Sequence, residues 1–242
     1  MKAVILAAGL GSRLRPLTDD LPKCMVPVNG IPIIDKQLDN LLQNKVEEIY
    51  VVDGYKADIL SQHLMSKYPQ VKIINNQRYA ETNNMYSLFL ASEYVKSQEF
   101  LLMNADVYFD TCIIDGLLKD ENQSKIACDC SKYLDESMKI TVDGGRVNHI
   151  SKQISEKDYY AVSIDVYRIS SKDSTSLYEE IENTIIKNRD EKSWTEVALD
   201  NVFPRCDFRP YDIGGGRWFE IDNHDDLRLA EQLFLGDTLC ER

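Results

Sequence analysis

Residues 2–8, Lys2-Ala3-Val4-Ile5-Leu6-Ala7-Ala8, are one lysine followed by six apolar residues, and the run stops at Gly9. A strand-length run without polar alternation fits a strand buried on both faces, as in the middle of a parallel sheet covered by helices. The next hundred residues extend that reading. Helical spacing over 34–42, 58–68 and 85–95 alternates with strand-like runs at 48–52, 71–75 and 100–103. Strands separated by helices of that length imply right-handed crossovers and helices on both faces of a mainly parallel sheet.

From about residue 125 the pattern changes. Short strands are expected at 126–130, 139–142, 146–151 and 161–169, with Asp143-Gly144-Gly145 as a hairpin turn. Helices are expected at 174–187, 195–202 and 225–235. No repeat, low-complexity tract or linker interrupts the chain, so residues 1–242 read as one α/β domain. Its nucleotide-binding half is about 1–124 and its acceptor-binding half about 125–242.

Chemistry concentrates just after the first strand. Gly9 and Gly11 would let backbone N–H groups face phosphates, and Ser12, Arg13 and Arg15 follow at once. Leu14 stands where a dinucleotide fingerprint needs a small residue, and no GKS or GKT makes a P-loop. A lysine framed by prolines comes next, in Pro22-Lys23-Cys24-Met25-Val26-Pro27. Lys and Arg total 28 against 40 Asp and Glu, a net charge of −12. That balance argues against nucleic-acid or anionic-membrane partners, while a local cation cluster still suits a triphosphate.

Two acids stand near strand ends. Asp106 follows the apolar run 100–103, at the carboxyl end where open α/β sheets bind ligands. Asp222 lies in Trp218-Phe219-Glu220-Ile221-Asp222, where alternation puts Glu220 and Asp222 on one face of a short strand; a plain helix cap is the blander reading of Asp222. Asp110 and Asp115 read as turn or cap residues. His63, His149 and His224 form no cluster, and the six cysteines, at 24, 112, 128, 130, 206 and 240, have no CxxC or zinc spacing. Cys128 and Cys130 read as core filling on one face of a strand. No run reaches the ~18 apolar residues of a membrane span, and the N-terminal run is too short for a signal peptide. A cytoplasmic protein with reduced thiols is expected, and homo-oligomerisation is left open.

The strings Leu6-Ala7-Ala8-Gly9-Leu10-Gly11-Ser12-Arg13-Leu14-Arg15-Pro16-Leu17-Thr18, Pro22-Lys23 through Val28, and Gly30-Ile31-Pro32-Ile33 resemble the signature of the nucleotidyltransferase family. That family includes sugar-1-phosphate nucleotidyltransferases and CTP:phosphocholine cytidylyltransferases. The resemblance covers nearly the whole chain. It implies a Rossmann-like mixed sheet of the glycosyltransferase-A type and transfer of a nucleotidyl group with Mg²⁺ as cofactor.

By that resemblance Leu6, Ala7, Ala8, Gly9, Gly11 and Ser12 cradle the nucleotide, Arg13 holds the β/γ phosphates, and Lys23 contacts the α-phosphate. Asp106 and Asp222 hold the metal. Gly54, Tyr55, Asn84, Ser87 and Asn104 join the nucleotide side. Lys152 grips the acceptor phosphate, with Lys139 a weaker candidate. Tyr86, Asp165, Trp194, Glu196 and Trp218 are expected around the rest of the acceptor, with Asp129 and Tyr133 further candidates. Thr82-Asn83-Asn84-Met85-Tyr86-Ser87 looks like the corresponding segment of the phosphocholine enzymes, and the Gln-rich segment of UTP and dTTP enzymes is absent. Two positions depart from the pattern. Ser137 replaces a tryptophan of the choline site, and Asp165 stands where glycine is common.

The expected activity is transfer of CMP from CTP to a phosphorylated small alcohol, phosphonate or sugar, releasing pyrophosphate. The alternatives are a sugar-1-phosphate nucleotidyltransferase using UTP, dTTP or GTP, and a non-catalytic nucleotide-binding subunit.

Overall fold

A computed structural model describes residues 1–120 and 122–236; Cys240 lies outside them. The strand Lys2–Leu6 is central, hydrogen-bonded in parallel to Glu48–Asp53 on one side and to Phe100–Asn104 on the other. Its alternate side chains feed two cores. Val4 and Leu6 pack on one face of the sheet, Ala3 and Ile5 on the other. The absence of polar alternation has this cause. Each fully buried side chain of this kind contributes about 1.5–3 kcal/mol.

Lys72–Asn75 extends the parallel half beyond Glu48–Asp53. On the other side, the nine-residue strand Ala161–Ile169 runs antiparallel to Phe100–Asn104 through Val166–Ile169. Its first residues, Ala161 and Val162, pair instead with Lys139–Asp143. Between these two partners the backbone kinks, with Asp165 at φ 56°. The far edge registers the same kink: Ser163 faces Cys128 and Tyr167 faces Ile126, so four residues run against two of the strand Ser124–Asp129. Phe208–Asp212 closes that edge in parallel.

Several expected elements differ in detail. The helix expected at 85–95 is two, Asn84–Leu90 and Ser92–Val95, broken at Ala91. The helix expected at 174–187 begins earlier, as Ser171–Glu182, and ends in a π-helical turn, Asn183–Lys187. Cys130 falls just past the strand that carries the buried Cys128, but it packs half-buried against the same core cluster as Cys128. Asp110 is no mere turn residue; it accepts hydrogen bonds from Arg217 on both oxygens, at 2.8 and 3.0 Å. Asp115 pairs with Lys119, the residue just past the end of its helix. The last helix, His224–Leu233, is capped by Asn223 in a reciprocal box with Asp226, which leaves Asp222 outside the cap. No helix among the described residues is long and apolar enough to cross a membrane.

Candidate active site

Four separated segments meet over the carboxyl end of the first strand. The loop after that strand turns through Gly11 at φ 61°, and a Cβ there would stand 2.8 Å from Cβ of Lys23. Glycine therefore lets the loop close directly onto the lysine. Lys23 reaches across and donates to Asp106 at 2.8 Å and to Asp222 at 2.7 Å, while Arg13 pairs with Asp222 at 2.9 Å.

The two aspartates are brought together by a ribbon too short to read from periodicity. Val107–Phe109, immediately after Asp106, pairs antiparallel with Trp218–Glu220, and the N–H of Ile221 donates to the carbonyl of Asp106 at 2.9 Å. The strand stops at Glu220, so Glu220 and Asp222 are not two positions of one strand face. Both nevertheless line the cavity.

This cavity of about 370 Å³ is lined at one end by Leu6, Ala8, Gly9, Gly11, Ser12, Arg13, Lys23, Asp106 and Asp222. Asn84, Ser87 and Asn104 form a side wall, Lys152, Asp165, Trp194 and Glu196 form the far end, and Glu220 lies between, beside Asp106 and Asp222. Burial opposes the charge of Lys23, but the adjoining Asp106 and Asp222 outweigh it and hold its pKa above the ordinary value. Burial likewise opposes charge on Asp222, and Lys23 and Arg13 outweigh it to keep that carboxyl below its usual range.

The far end has the opposite character. Asp165 accepts from Tyr167 at 2.9 Å and from Asn104 at 3.1 Å, and the hydroxyl of Tyr167 also reaches Glu196 at 3.3 Å. Among the described residues no basic side chain forms an ion pair with Asp165, Glu196 or Glu220. Burial, with Glu196 and Asp106 nearby, pushes Asp165 up to about 7. Burial and the neighbouring Asp165 and Asp106 push Glu220 up to about 8, against the pull of Lys152.

Asp106, Glu220 and Asp222 each offer an oxygen within 4.8 Å of the others. Oδ1 of Asp106 is buried and has no hydrogen-bond partner. An all-oxygen donor set with a spare buried carboxylate oxygen fits a hard divalent cation.

Five expected residues lie outside the cavity. Ala7 points to the opposite face of the sheet from Leu6 and Ala8. Gly54 instead permits close packing, since a Cβ there would stand 2.7 Å from Tyr79 and 2.9 Å from Ala8. Tyr55 braces the glycine loop from behind, donating to the carbonyl of Thr18 at 2.8 Å. Tyr86 packs beside Phe89 beneath Arg78. Trp218 is buried, its indole N–H donating to Asp129 at 2.8 Å, which removes both from the acceptor wall. Tyr133 meets Tyr159 edge to face outside the cavity, and the buried Lys139 donates to the carbonyls of Leu134, Asp135 and Ser137, so it holds a loop. The histidines make structural contacts, to Asp35, Asp200 and the carbonyl of Arg15.

The cavity also contains residues that sequence reasoning left out of the site: Asn76, Tyr79, Thr82, Asn83, Met138 and Glu220. Asn76 directly follows a parallel strand, so the strand-end rule that singled out Asp106 applied to it too. Met138 carried no such signal.

Residues 2–137 match the nucleotidyl transferase family. The chain belongs to that family. Similarity to individual members runs end to end. A CTP:phosphoglutamine cytidylyltransferase of Campylobacter jejuni is 29% identical, with 95% of this chain and 98% of the relative covered. A choline-phosphate cytidylyltransferase of Streptococcus pneumoniae is 28% identical, covering 98% of this chain and all of the relative. The solved structure of a CTP:phosphocholine cytidylyltransferase from Streptococcus pneumoniae superposes with a TM-score of 0.78 at 26% identity, over 96% of this chain and 98% of that one. The mixed sheet flanked by helices is thus the nucleotidyltransferase fold, and the protein is an enzyme of the nucleotidyltransferase class.

Proposed function

We propose that this nucleotidyltransferase moves CMP from CTP to a small phosphate or phosphonate, forming a CDP-linked product and pyrophosphate. The observation that carries nucleotidyl transfer is Lys23, gripped between Asp106 and Asp222 beside a glycine loop that bears Arg13. The choice of CTP rests on the two end-to-end relatives, both cytidylyltransferases by name.

The glycine loop, with Asn84, Ser87 and Asn104, would hold the nucleotide. Arg13 would meet the outer phosphates and Lys23 the α-phosphate, while Lys152 would orient the acceptor's phosphorus end. An acceptor oxygen then attacks the α-phosphorus in line and pyrophosphate departs opposite. That oxygen is already anionic near neutral pH, so catalysis is positioning and charge neutralisation, without a strong general base. Asp106 and Asp222, with Glu220 beside them, would hold Mg²⁺, which supplies further neutralisation at the phosphate oxygens when bound.

The unpaired acids Asp165 and Glu196, with Trp194 at the rim, suit an acceptor whose other end is positively charged or donates hydrogen bonds. The test is pyrophosphate release across CTP, UTP, dTTP, ATP and GTP with Mg²⁺. Each is paired with phosphocholine, phosphoethanolamine, 2-aminoethylphosphonate, inositol phosphate or sugar-1-phosphates. Acceptor-dependent release confined to CTP is expected; release with UTP, dTTP or GTP and a sugar phosphate alone would overturn the choice of CTP.

A further inference from the structure

Two walls of the cavity are made of loops, and they touch outside it. One is the loop 76–83 with the start of helix Asn84–Leu90, which contributes Asn76, Tyr79, Thr82, Asn83 and Asn84 to the nucleotide side. The other is a strap of residues 188–194, between the π-helical turn Asn183–Lys187 and the helix Thr195–Val202; it presents Trp194 and, just beyond, Glu196 to the far end.

Each wall is a preformed turn. In the loop, the buried Asn76 accepts from the N–H of Arg78 at 3.0 Å and donates to Thr82 and Ser87 at 3.2 and 3.1 Å. In the strap, Arg189 sits at φ 56° and Asp190 accepts from the N–H groups of Lys192 and Ser193 and from the Ser193 hydroxyl, at 2.9, 3.1 and 2.6 Å.

Arg78 joins the two turns. Its guanidinium makes a two-point contact with Glu191 of the strap, at 2.8 and 2.6 Å, while Nε holds Glu81 of its own loop at 3.2 Å and the group lies over the ring of Tyr86. Backbone bonds follow the same seam. The N–H of Asn83 donates to the carbonyl of Glu191 at 2.9 Å, and the N–H of Thr195 donates to the side chain of Asn84 at 2.8 Å. Neither Arg78 nor Glu191 lines the cavity.

We propose that Arg78 and Glu191 are positioning residues: their ion pair sets the acceptor wall, through Trp194 and Glu196, at a fixed distance from the nucleotide wall. The proposal rests on the assignment of the far end to the acceptor. A planar two-point contact fixes orientation as well as distance, which a single charge contact does not. Rigid loops lose less entropy when the acceptor binds, so loosening the seam weakens acceptor binding ahead of chemistry.

The test uses Arg78→Ala, Glu191→Ala, the double alanine variant and the reversed pair Arg78→Glu/Glu191→Arg. The acceptor KM at saturating CTP is expected to rise about fivefold in each single variant, the upper end for an exposed ion pair, with kcat nearly unchanged. The double variant should add little, and the reversed pair should recover most of the loss, because the coupling belongs to the pair. Acrylamide quenching supplies a readout independent of turnover. The chain has 2 tryptophans, and Trp194 is 44% exposed against 3% for Trp218, so quenching reports on the strap. Quenching should increase in the single variants and return toward wild type in the reversed pair.

Unchanged acceptor KM and quenching in both single variants would overturn the proposal. So would a lowered melting temperature with KM unmoved, since that is what a merely structural bridge gives. If the wild-type enzyme used no acceptor in the set, the acceptor assignment would have failed on its own, and the quenching series would still decide whether the pair holds the strap.

Discussion

The two ends of the cavity are both rich in carboxylates, yet they are electrostatically unlike. At the glycine-loop end Asp106 and Asp222 meet Lys23 and Arg13 of the same chain, and those cations hold the Asp222 carboxyl below its usual range. At the far end Asp165 and Glu196 face hydroxyl and amide donors, and burial raises their pKa values. The same functional group is thus favoured in its charged form by the neighbouring cations at one end and disfavoured in that form by burial at the other. A site of the first kind is ready for a polyanion. One of the second kind is stabilised in the ionised form when a ligand brings positive charge to it.

The largest effect that would break this contrast is at its charged end. Lys23→Ala should lower kcat by about 10²–10³, as expected for one group that neutralises transition-state charge. Near-normal turnover at saturating substrates would remove Lys23 from the chemistry. Next, Lys152→Ala should raise the acceptor KM by about tenfold or more while the KM for CTP stays put, because one charged hydrogen bond is worth about 1.5–3 kcal/mol. Equal changes in both KM values would show that the two ends are not separate.

Asp165→Asn sharpens the contrast from the other side. With an amino-bearing acceptor its KM should rise by about tenfold, and with a neutral polyol phosphate far less.

The smallest effect is on stability. The folded pKa of Asp165, about 7, lies above the ordinary 3.8. Its contribution is therefore fully present below about pH 4 and is lost as pH rises through 7. The fall in melting temperature from pH 5 to pH 8 should be roughly 5–10 °C smaller in Asp165→Asn than in wild type. An identical pH dependence would mean that Asp165 is ionised throughout.

The charged end was legible in the sequence because its signals are local. An apolar run that ends in glycine, a proline-framed lysine and an acid at a strand end can each be found within a few residues. What brings Asp222 to Asp106 is a ribbon of three-residue strands joined across the chain, below the length at which alternation can be read. The kink at Asp165 was hidden for the opposite reason. Residues 161–169 read as one continuous strand, and the break arises where that strand changes neighbours. Tyr86 and Trp218 were expected in the acceptor wall on side-chain type alone. Trp218 went inside because Asp129 satisfies its indole N–H there.

The kink has a consequence for how such an enzyme changes over generations. Aspartate and glycine codons differ by a single base. Glycine adopts a left-handed backbone without the roughly 1 kcal/mol that a side chain adds there. One point mutation at position 165 therefore removes a wall carboxyl and relaxes the main chain together. The glycine-loop end is assembled from residues scattered over four segments and has no comparable shortcut. On the proposed function, acceptor preference drifts in single genetic steps while the nucleotide chemistry stays fixed.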